Sequence, residues 1–433
     1  MSVEKQEFYR KYKRFLVPCV ANYYQEPIIL ERGKGKYLYD IDGKEYLDFF
    51  GGIVTISVGH CDDEITSRTC NQMQKLQHTS TLYPTIPMVS LAEKLADITP
   101  GRLQKSFFSN SGTEAIETAV LLAQLYTKSH EIIALRHCYS GNSLLAMNIN
   151  GHKHWRLSES LIPGIKHAHN AYCFRCAFGK TYPQCDLACA KDVKELIETT
   201  TSGRPSAFIA EPIQGVGGFI TPPKEYFKEV LSIIRSYGGL FICDEVQTGW
   251  GRTGGKLFGI EHWGVEPDIM VMAKGAANGA PVGITIATPE VADTLSGSHI
   301  STFGGNPVTA VAVLATIEAI EKRNLAQNAK EMGDYLRDGL EGLKDKYPLI
   351  GEVRGLGLIQ GLEIVKAHKE PAPDVVLEIF ERTKIEGLLI GKGGLYGNVI
   401  RITPSLTVEK EEIDRAIHVL DRALGKTLAY HAL

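Results

Sequence analysis

The sequence predicts an α/β protein with a mostly parallel central sheet, helices on both faces, and a smaller α+β domain. Three observations predict it. Short apolar runs at 132–135, 207–210, 240–243, 269–273 and 282–287 alternate with stretches of helical periodicity such as 223–237. Such runs suit strands buried on both faces, and intervening helices suit parallel crossovers. Polar or charged residues follow several runs directly, and ligands of such sheets bind beyond the carboxyl ends of the strands. Finally, 433 residues with 44% hydrophobic content can bury a large core and form two or three domains.

The elements are read in order. Residues 35–50 alternate loosely and turn at Asp42-Gly43, as a β-hairpin does. Apolar spacing over 87–98, closed by Pro100, predicts a helix. Phe107-Phe108 forms a strand that runs into the small-residue turn SNSGT and then a helix with Ala115, Thr118, Ala119 and Leu122 on one side. After Asn306-Pro307 come a long apolar helix and a second one from 325 to about 344. Strands at 356–363 and 399–402 and helices at 373–385 and 409–424 complete the smaller region. The division expected is an N-terminal segment 1–60, a large domain 61–310 and a C-terminal domain 311–433. The first 50 residues are expected to pack on the C-terminal region or on another subunit.

Composition excludes several classes. A net charge of −3 offers no positive field for nucleic acid or an anionic membrane. No apolar run approaches the ~20 residues a membrane span needs. The opening stretch is charged, carries Glu4 and Glu7, and reads as neither a signal peptide nor a presequence. Nine cysteines, an odd number, argue for reduced thiols and a cytoplasmic location.

Two strand ends carry chemistry. Asp244 follows the run 240–243, and Lys274 follows PDIMVMA thirty residues later. A lysine beside small residues at the end of a buried strand is suited to a Schiff base, because desolvation frees its amine. Pyridoxal phosphate needs such a lysine and usually an acid for its ring nitrogen. A surface lysine and a helix-capping aspartate fit the same spacing. Ser111, Gly112 and Thr113 stand where a strand turns into a helix, where free amides can hold a phosphate or simply cap the helix.

Taken together, EPIQGVGG, FICDEVQTGWGRTG, PDIMVMAKG and STFGGNP resemble the class III, or ω-amino acid, aminotransferases, which are fold type I pyridoxal-phosphate enzymes. The resemblance spans about residues 20–425. It implies that Lys274 binds the cofactor and shuttles the proton, and that Asp244 faces the pyridinium. It implies that Ser111, Gly112 and Thr113 hold the phosphate, that Tyr139 stacks on the ring, and that Gln247 approaches its 3′-oxygen. Thr302 would reach the phosphate of a neighbouring subunit, so a homodimer with shared sites, or a tetramer, is expected. Arg401 would grip an α-carboxylate, and Glu211 would pair with Arg401 as a gate when an ω-amino substrate is bound. Tyr23 and Ile53 would line the substrate side. Where the family often has Tyr-His-Gly this chain has Tyr139-Ser140-Gly141, and Gly-His-x-His-Pro is replaced by Gly59-His60-Cys61-Asp62-Asp63.

Within the family, DFFGGIVTISVGHC and HTSTLY most resemble mitochondrial-type alanine–glyoxylate aminotransferases and their bacterial relatives. The expected activity is ping-pong transfer of an amino group from alanine or an ω-amino donor to an α-keto acid such as glyoxylate or pyruvate. Alternatives are a phospho-lyase acting on a phosphorylated amine, and a 4-aminobutyrate or other ω-amino acid:2-oxoglutarate transaminase. An insert at 173–189 carries Cys173, Cys176, Cys185 and Cys189 at C-x2-C-x8-C-x3-C spacing. Free thiols in a packed loop are the expectation; tetrahedral zinc, a disulfide and a redox role are the other readings of that spacing.

Overall fold

The computed structural model describes residues 3–20, 22–157 and 162–431. Its main sheet has seven strands, in the spatial order Lys105–Ser109, Gly283–Ala287, Ile269–Met272, Leu240–Asp244, Ala207–Ala210, Ile132–Leu135, Ile165–Ala168. Gly283–Ala287 runs antiparallel to both neighbours, and the five strands beyond it are mutually parallel. Four of them, Ile132–Leu135, Ala207–Ala210, Leu240–Asp244 and Ile269–Met272, are buried along their whole length. That is why they read as continuous apolar runs and not as alternating ones. The strand Ile165–Ala168 lies at the sheet edge and is partly exposed, so its IKHA sequence carries no apolar run.

A four-stranded antiparallel sheet is formed by Ile350–Leu356, Ile359–Ile364, Val399–Ile402 and Gly391–Gly393. The single strand expected at 356–363 is instead two strands turning at Gly357-Leu358. Gly357 has φ +52°, and a Cβ there would lie 2.5 Å from the Thr253 backbone, so the chain folds back closely against another loop. A third sheet joins the N-terminal hairpin to the C-terminal region: Leu388–Leu389 pairs in parallel with Glu45–Asp48. The hairpin strand Glu45–Asp48 thus lies against the C-terminal region.

Helix ends follow their sequence signals. Asn306 accepts hydrogen bonds from the Val308 and Thr309 amides ahead of Pro307, opening the helix Pro307–Lys322. Fully buried Glu363 accepts from Arg175 Nε at 2.5 Å and Arg354 Nη1 at 2.6 Å, and also from the Tyr172 hydroxyl. This network fastens the cysteine-rich insert to the C-terminal sheet that carries Arg401. Among the described residues, no helix is long and apolar enough to cross a membrane.

Candidate active site

The carboxyl ends of the parallel strands converge. Asp244 ends one strand, Glu211 follows Ala207–Ala210, Tyr139 follows Ile132–Leu135, and Lys274 follows Ile269–Met272. With Ser111, Gly112, Thr113 and Gln247 they line one cavity of about 340 Å³. A second cavity of about 880 Å³ shares Lys274, Tyr139 and Gln247 with the first. It also contains Tyr23, Ile53 and Arg401. Of the residues singled out from sequence, Thr302 alone among the expected cofactor and substrate residues stands outside both. It is exposed, in the segment before Asn306.

Lys274 lies at φ +42°, a left-handed conformation rarely held by a side chain of this size. Such strain persists where surrounding structure enforces it, often at functional sites. Burial pushes the Lys274 amine below its ordinary pKa, while the nearby Asp244 and Glu211 oppose the shift. Burial raises the pKa of Asp244, whose Oδ1 accepts from the Val246 amide at 3.0 Å. Burial also raises that of Glu211, and the Asp244 charge adds to the effect.

The phosphate end is set by the helix Gly112–Thr127. Ser111 caps it by accepting from the Glu114 amide at 3.3 Å. The first turn's amides have no partner within the helix, so they and the macrodipole favour an anion. Thr113 Oγ1 donates to Ser143 Oγ at 2.9 Å, and a Cβ at Gly141 would fall 2.3 Å from that hydroxyl. Gly215 has the same relation to Gln247: an added Cβ would lie 2.4 Å from its side-chain amide.

Arg401 is 3% exposed and lies over Phe50 and Phe219, with its guanidinium carbon 5.0 and 5.5 Å from their ring centres. Its Nε donates to the Lys392 carbonyl at 3.0 Å, and its Nη1 donates to Gln247 Oε1 at 3.4 Å. The pairing of Glu211 with Arg401 is expected with an ω-amino substrate bound; without substrate, Glu211 has other partners. Glu211 accepts from the Tyr139 amide at 3.1 Å and from the Gly215 amide at 2.7 Å, so backbone donors occupy both of its oxygens.

Sequence reading missed His152, His154, Trp155, Lys392 and Tyr396, which complete the larger cavity. The dense aromatic and imidazole run His152-Lys153-His154-Trp155 was a signal that could have drawn notice. The four insert cysteines line a separate pocket of only about 20 Å³ and are free thiols. Burial pushes Cys173 and Cys189 up to about 11. Among the described residues, no group of three or more His, Cys, Asp or Glu side chains is placed to hold a metal ion.

This donor set fits pyridoxal phosphate: helix-terminal amides and hydroxyls for the phosphate, a buried carboxylate for the ring nitrogen, and a buried amine between the two cavities. Fold and site together define a fold type I pyridoxal-phosphate enzyme. Residues 19–424 match the family described as aminotransferase class-III, and the chain belongs to that family. It is 41% identical to alanine–glyoxylate aminotransferase 2 homolog 2, mitochondrial, of Arabidopsis thaliana, over 96% of this chain and 87% of that one. It is 36% identical to a leucine/methionine racemase of Thermococcus litoralis, over 98% of this chain and 96% of that one. A Bacillus anthracis aminotransferase structure superposes with TM-score 0.92 at 31% identity, covering 98% of this chain and all of that one.

Proposed function

We infer that this aminotransferase moves the amino group of a small amino acid, alanine foremost, to an α-keto acid such as glyoxylate or pyruvate. One observation carries the reading: a buried arginine, Arg401, shares a cavity with the amine of Lys274. A guanidinium can meet a carboxylate by two parallel charge-assisted hydrogen bonds. The alanine–glyoxylate aminotransferase among its relatives supports the choice of substrates.

When bound, pyridoxal phosphate supplies an aldehyde carbon for the substrate amine and a ring that accepts electrons. Ser111, Gly112 and Thr113 would hold its phosphate, Asp244 would keep its ring nitrogen protonated, and Tyr139 and Gln247 would flank the ring. Lys274 Nζ, whose pKa burial lowers, would take the proton from the substrate Cα and deliver it on the cofactor side, so that the substrate leaves as the keto acid. Arg401 orients the substrate by its carboxylate, and the aromatic rings around it exclude water.

The same reading extends to assembly, place and domain division. A homodimer, alone or paired into a tetramer, is supported by exposed apolar residues near Thr302. These include Ile300 and Phe303 and, on the segment touching them, Leu82, Tyr83 and Ile86. A cytoplasmic location is supported by nine free cysteines, although the Arabidopsis relative is mitochondrial. Domain limits near residues 60 and 310 are supported by a main sheet that draws every strand from 105–287.

The test is a donor panel with pyruvate, glyoxylate and 2-oxoglutarate, read by half-reaction absorbance and product analysis. Alanine and glyoxylate should yield pyruvate and glycine. Failure with alanine, or D-alanine accumulating in place of pyruvate, would overturn the substrate assignment.

A further inference from the structure

The turn that carries Lys274 is left-handed at both ends. Lys274 opens it at φ +42°, and Asn278 follows its last residue at φ +46°. Such backbone is costly for any residue with a side chain, least so for asparagine, and it persists only where the surroundings enforce it.

The enforcing contacts come from residues more than two hundred positions away. The Val58 amide donates to Asn278 Oδ1 at 2.9 Å, and Asn278 Nδ2 donates to the Gly59 carbonyl at 2.9 Å. One side-chain amide thus bonds two consecutive residues, accepting from the first and donating to the second. Ser57, 3% exposed, donates from Oγ to the Gly275 carbonyl at 3.2 Å. The fit is close, since a Cβ at Gly275 would fall 2.5 Å from Ser57 Oγ.

The other side of the same segment is bonded to the strand of Arg401. The Ser57 carbonyl accepts from the Leu406 amide at 2.8 Å and from Ser405 Oγ at 3.0 Å. The Thr403 amide donates to the Phe49 carbonyl at 2.8 Å, and Thr403 Oγ1 donates to the Phe50 carbonyl at 3.0 Å. Thr403 stands two residues beyond Arg401. Residues 49–59 therefore lie between the Lys274 turn and the end of the Arg401 strand, and hold both.

We propose that Asn278, backed by Ser57, is a positioning residue that locks the Lys274 turn to residues 49–59 and so sets the place of the Lys274 amine relative to Arg401. Asn278 and Ser57 line neither cavity and act through Lys274. The proposal rests on the reading of Lys274 as the amine that moves the substrate proton, and adds the groups that aim it. Proton transfer needs Nζ within reach of the substrate Cα, and a misplacement of about 1 Å can cost on the order of 10²-fold in rate. Tying both groups to one segment brings the carbon beside a gripped carboxylate to the amine.

The experiment compares wild type with Asn278→Gly, Asn278→Ala and Ser57→Ala by two measurements. One is single-turnover kinetics of the alanine half-reaction in the holoenzyme, per cofactor-loaded site. The other is the titration of Lys274 in the cofactor-free protein, followed by competitive acetylation with acetic anhydride and peptide mapping. Glycine accepts left-handed backbone, so Asn278→Gly removes both side-chain bonds without adding strain. It should lower the maximal rate about tenfold and leave the half-saturation concentration within roughly twofold. It should also move the Lys274 midpoint up toward that of an ordinary lysine, since a loosened turn lets the amine reach water. Asp244, Glu211 and Arg401 are the charged groups around that amine, and none of them is altered. Asn278→Ala should act more strongly, because alanine is strained at φ +46°. Ser57→Ala should move both readings in the same directions, with a rate loss of about threefold. Either change without the other in Asn278→Gly would overturn the proposal, as would both readings unchanged, whatever the melting temperature. Should Asn278→Gly not fold, Ser57→Ala decides by the same two readings. Turnover of alanine by Lys274→Ala would instead strike the lysine reading beneath the proposal.

Discussion

The two cavities that meet at Lys274 are built differently. The smaller is walled by the ends of neighbouring strands and one helix N-terminus, all from residues 110–282 apart from Thr55. The larger draws on Asn22 to Ile53, on Tyr139 to Trp155, and on Leu389 to Arg401, segments hundreds of residues apart. In the first, each functional group is fixed by the strand it ends. In the second, position depends on how the N-terminal hairpin, the 139–155 segment and the C-terminal sheet dock. Chemistry common to a family can therefore sit in the rigid wall, while selectivity is left to the assembled one.

The largest effect should come from the lysine that both cavities share. Lys274→Ala should abolish turnover and leave the cofactor bound only non-covalently. In wild type, borohydride reduction and peptide mapping should mark Lys274. A stable adduct on another lysine would mean that the shared wall has been misassigned.

Next in size is the arginine of the assembled wall. Arg401→Ala should lower kcat/KM for pyruvate or glyoxylate by about 10²-fold, roughly 3 kcal/mol, because a buried bidentate contact is lost. Arg401→Lys should recover little, since an ammonium cannot reproduce the fork. Half-reaction kinetics against an amine donor lacking an α-carboxylate separates the two walls. A loss of similar size with that donor would place Arg401 in general support of the site and blur the contrast between them.

The same contrast explains what could be read from sequence. Asp244, Lys274 and the Ser111–Thr113 turn were legible because a buried strand and the polar residue at its end are contiguous in the chain. Those strands were placed to within a residue or so at each end. Lys392 was not legible. It stands in the glycine-rich stretch GKGGLYGN, which carries no periodicity, and only the pairing of Gly391–Gly393 with Val399–Ile402 brings it to the site. The edge strand Ile165–Ala168 escaped because partial exposure permits Lys166 and His167 within it. The Glu211–Arg401 gate came from family resemblance and concerns the substrate-bound site; the substrate-free partner of Glu211 was local, an amide four residues away in the turn at Gly215.

The smallest effect tests whether Glu211 belongs to the rigid wall. Its carboxyl is fully buried, and burial with the nearby Asp244 charge raises its pKa above the ordinary 4.5. The folded cofactor-free protein then binds more protons at this site than the unfolded chain once the pH passes 4.5. Stability from this group must fall as pH rises from there toward the raised value, because ΔG of unfolding decreases wherever the native state holds the extra proton. Glu211→Gln removes that titration. It also replaces one accepting oxygen with an amide that cannot accept from Tyr139 or Gly215, a loss that does not vary with pH. The difference in melting temperature, variant minus wild type, should therefore move in favour of the variant between pH 5 and pH 8, by about 1–3 °C. Thermal melts of both proteins without cofactor across that range would measure it. A flat difference would show a carboxylate stabilised by its two amides as fully as by water. A depressed pKa, as expected of a glutamate in a tight ion pair, would leave the difference flat above pH 5 and make the wild type lose stability relative to the variant as pH falls below 4.5; that result would return Glu211 to Arg401 and to the assembled side of the site.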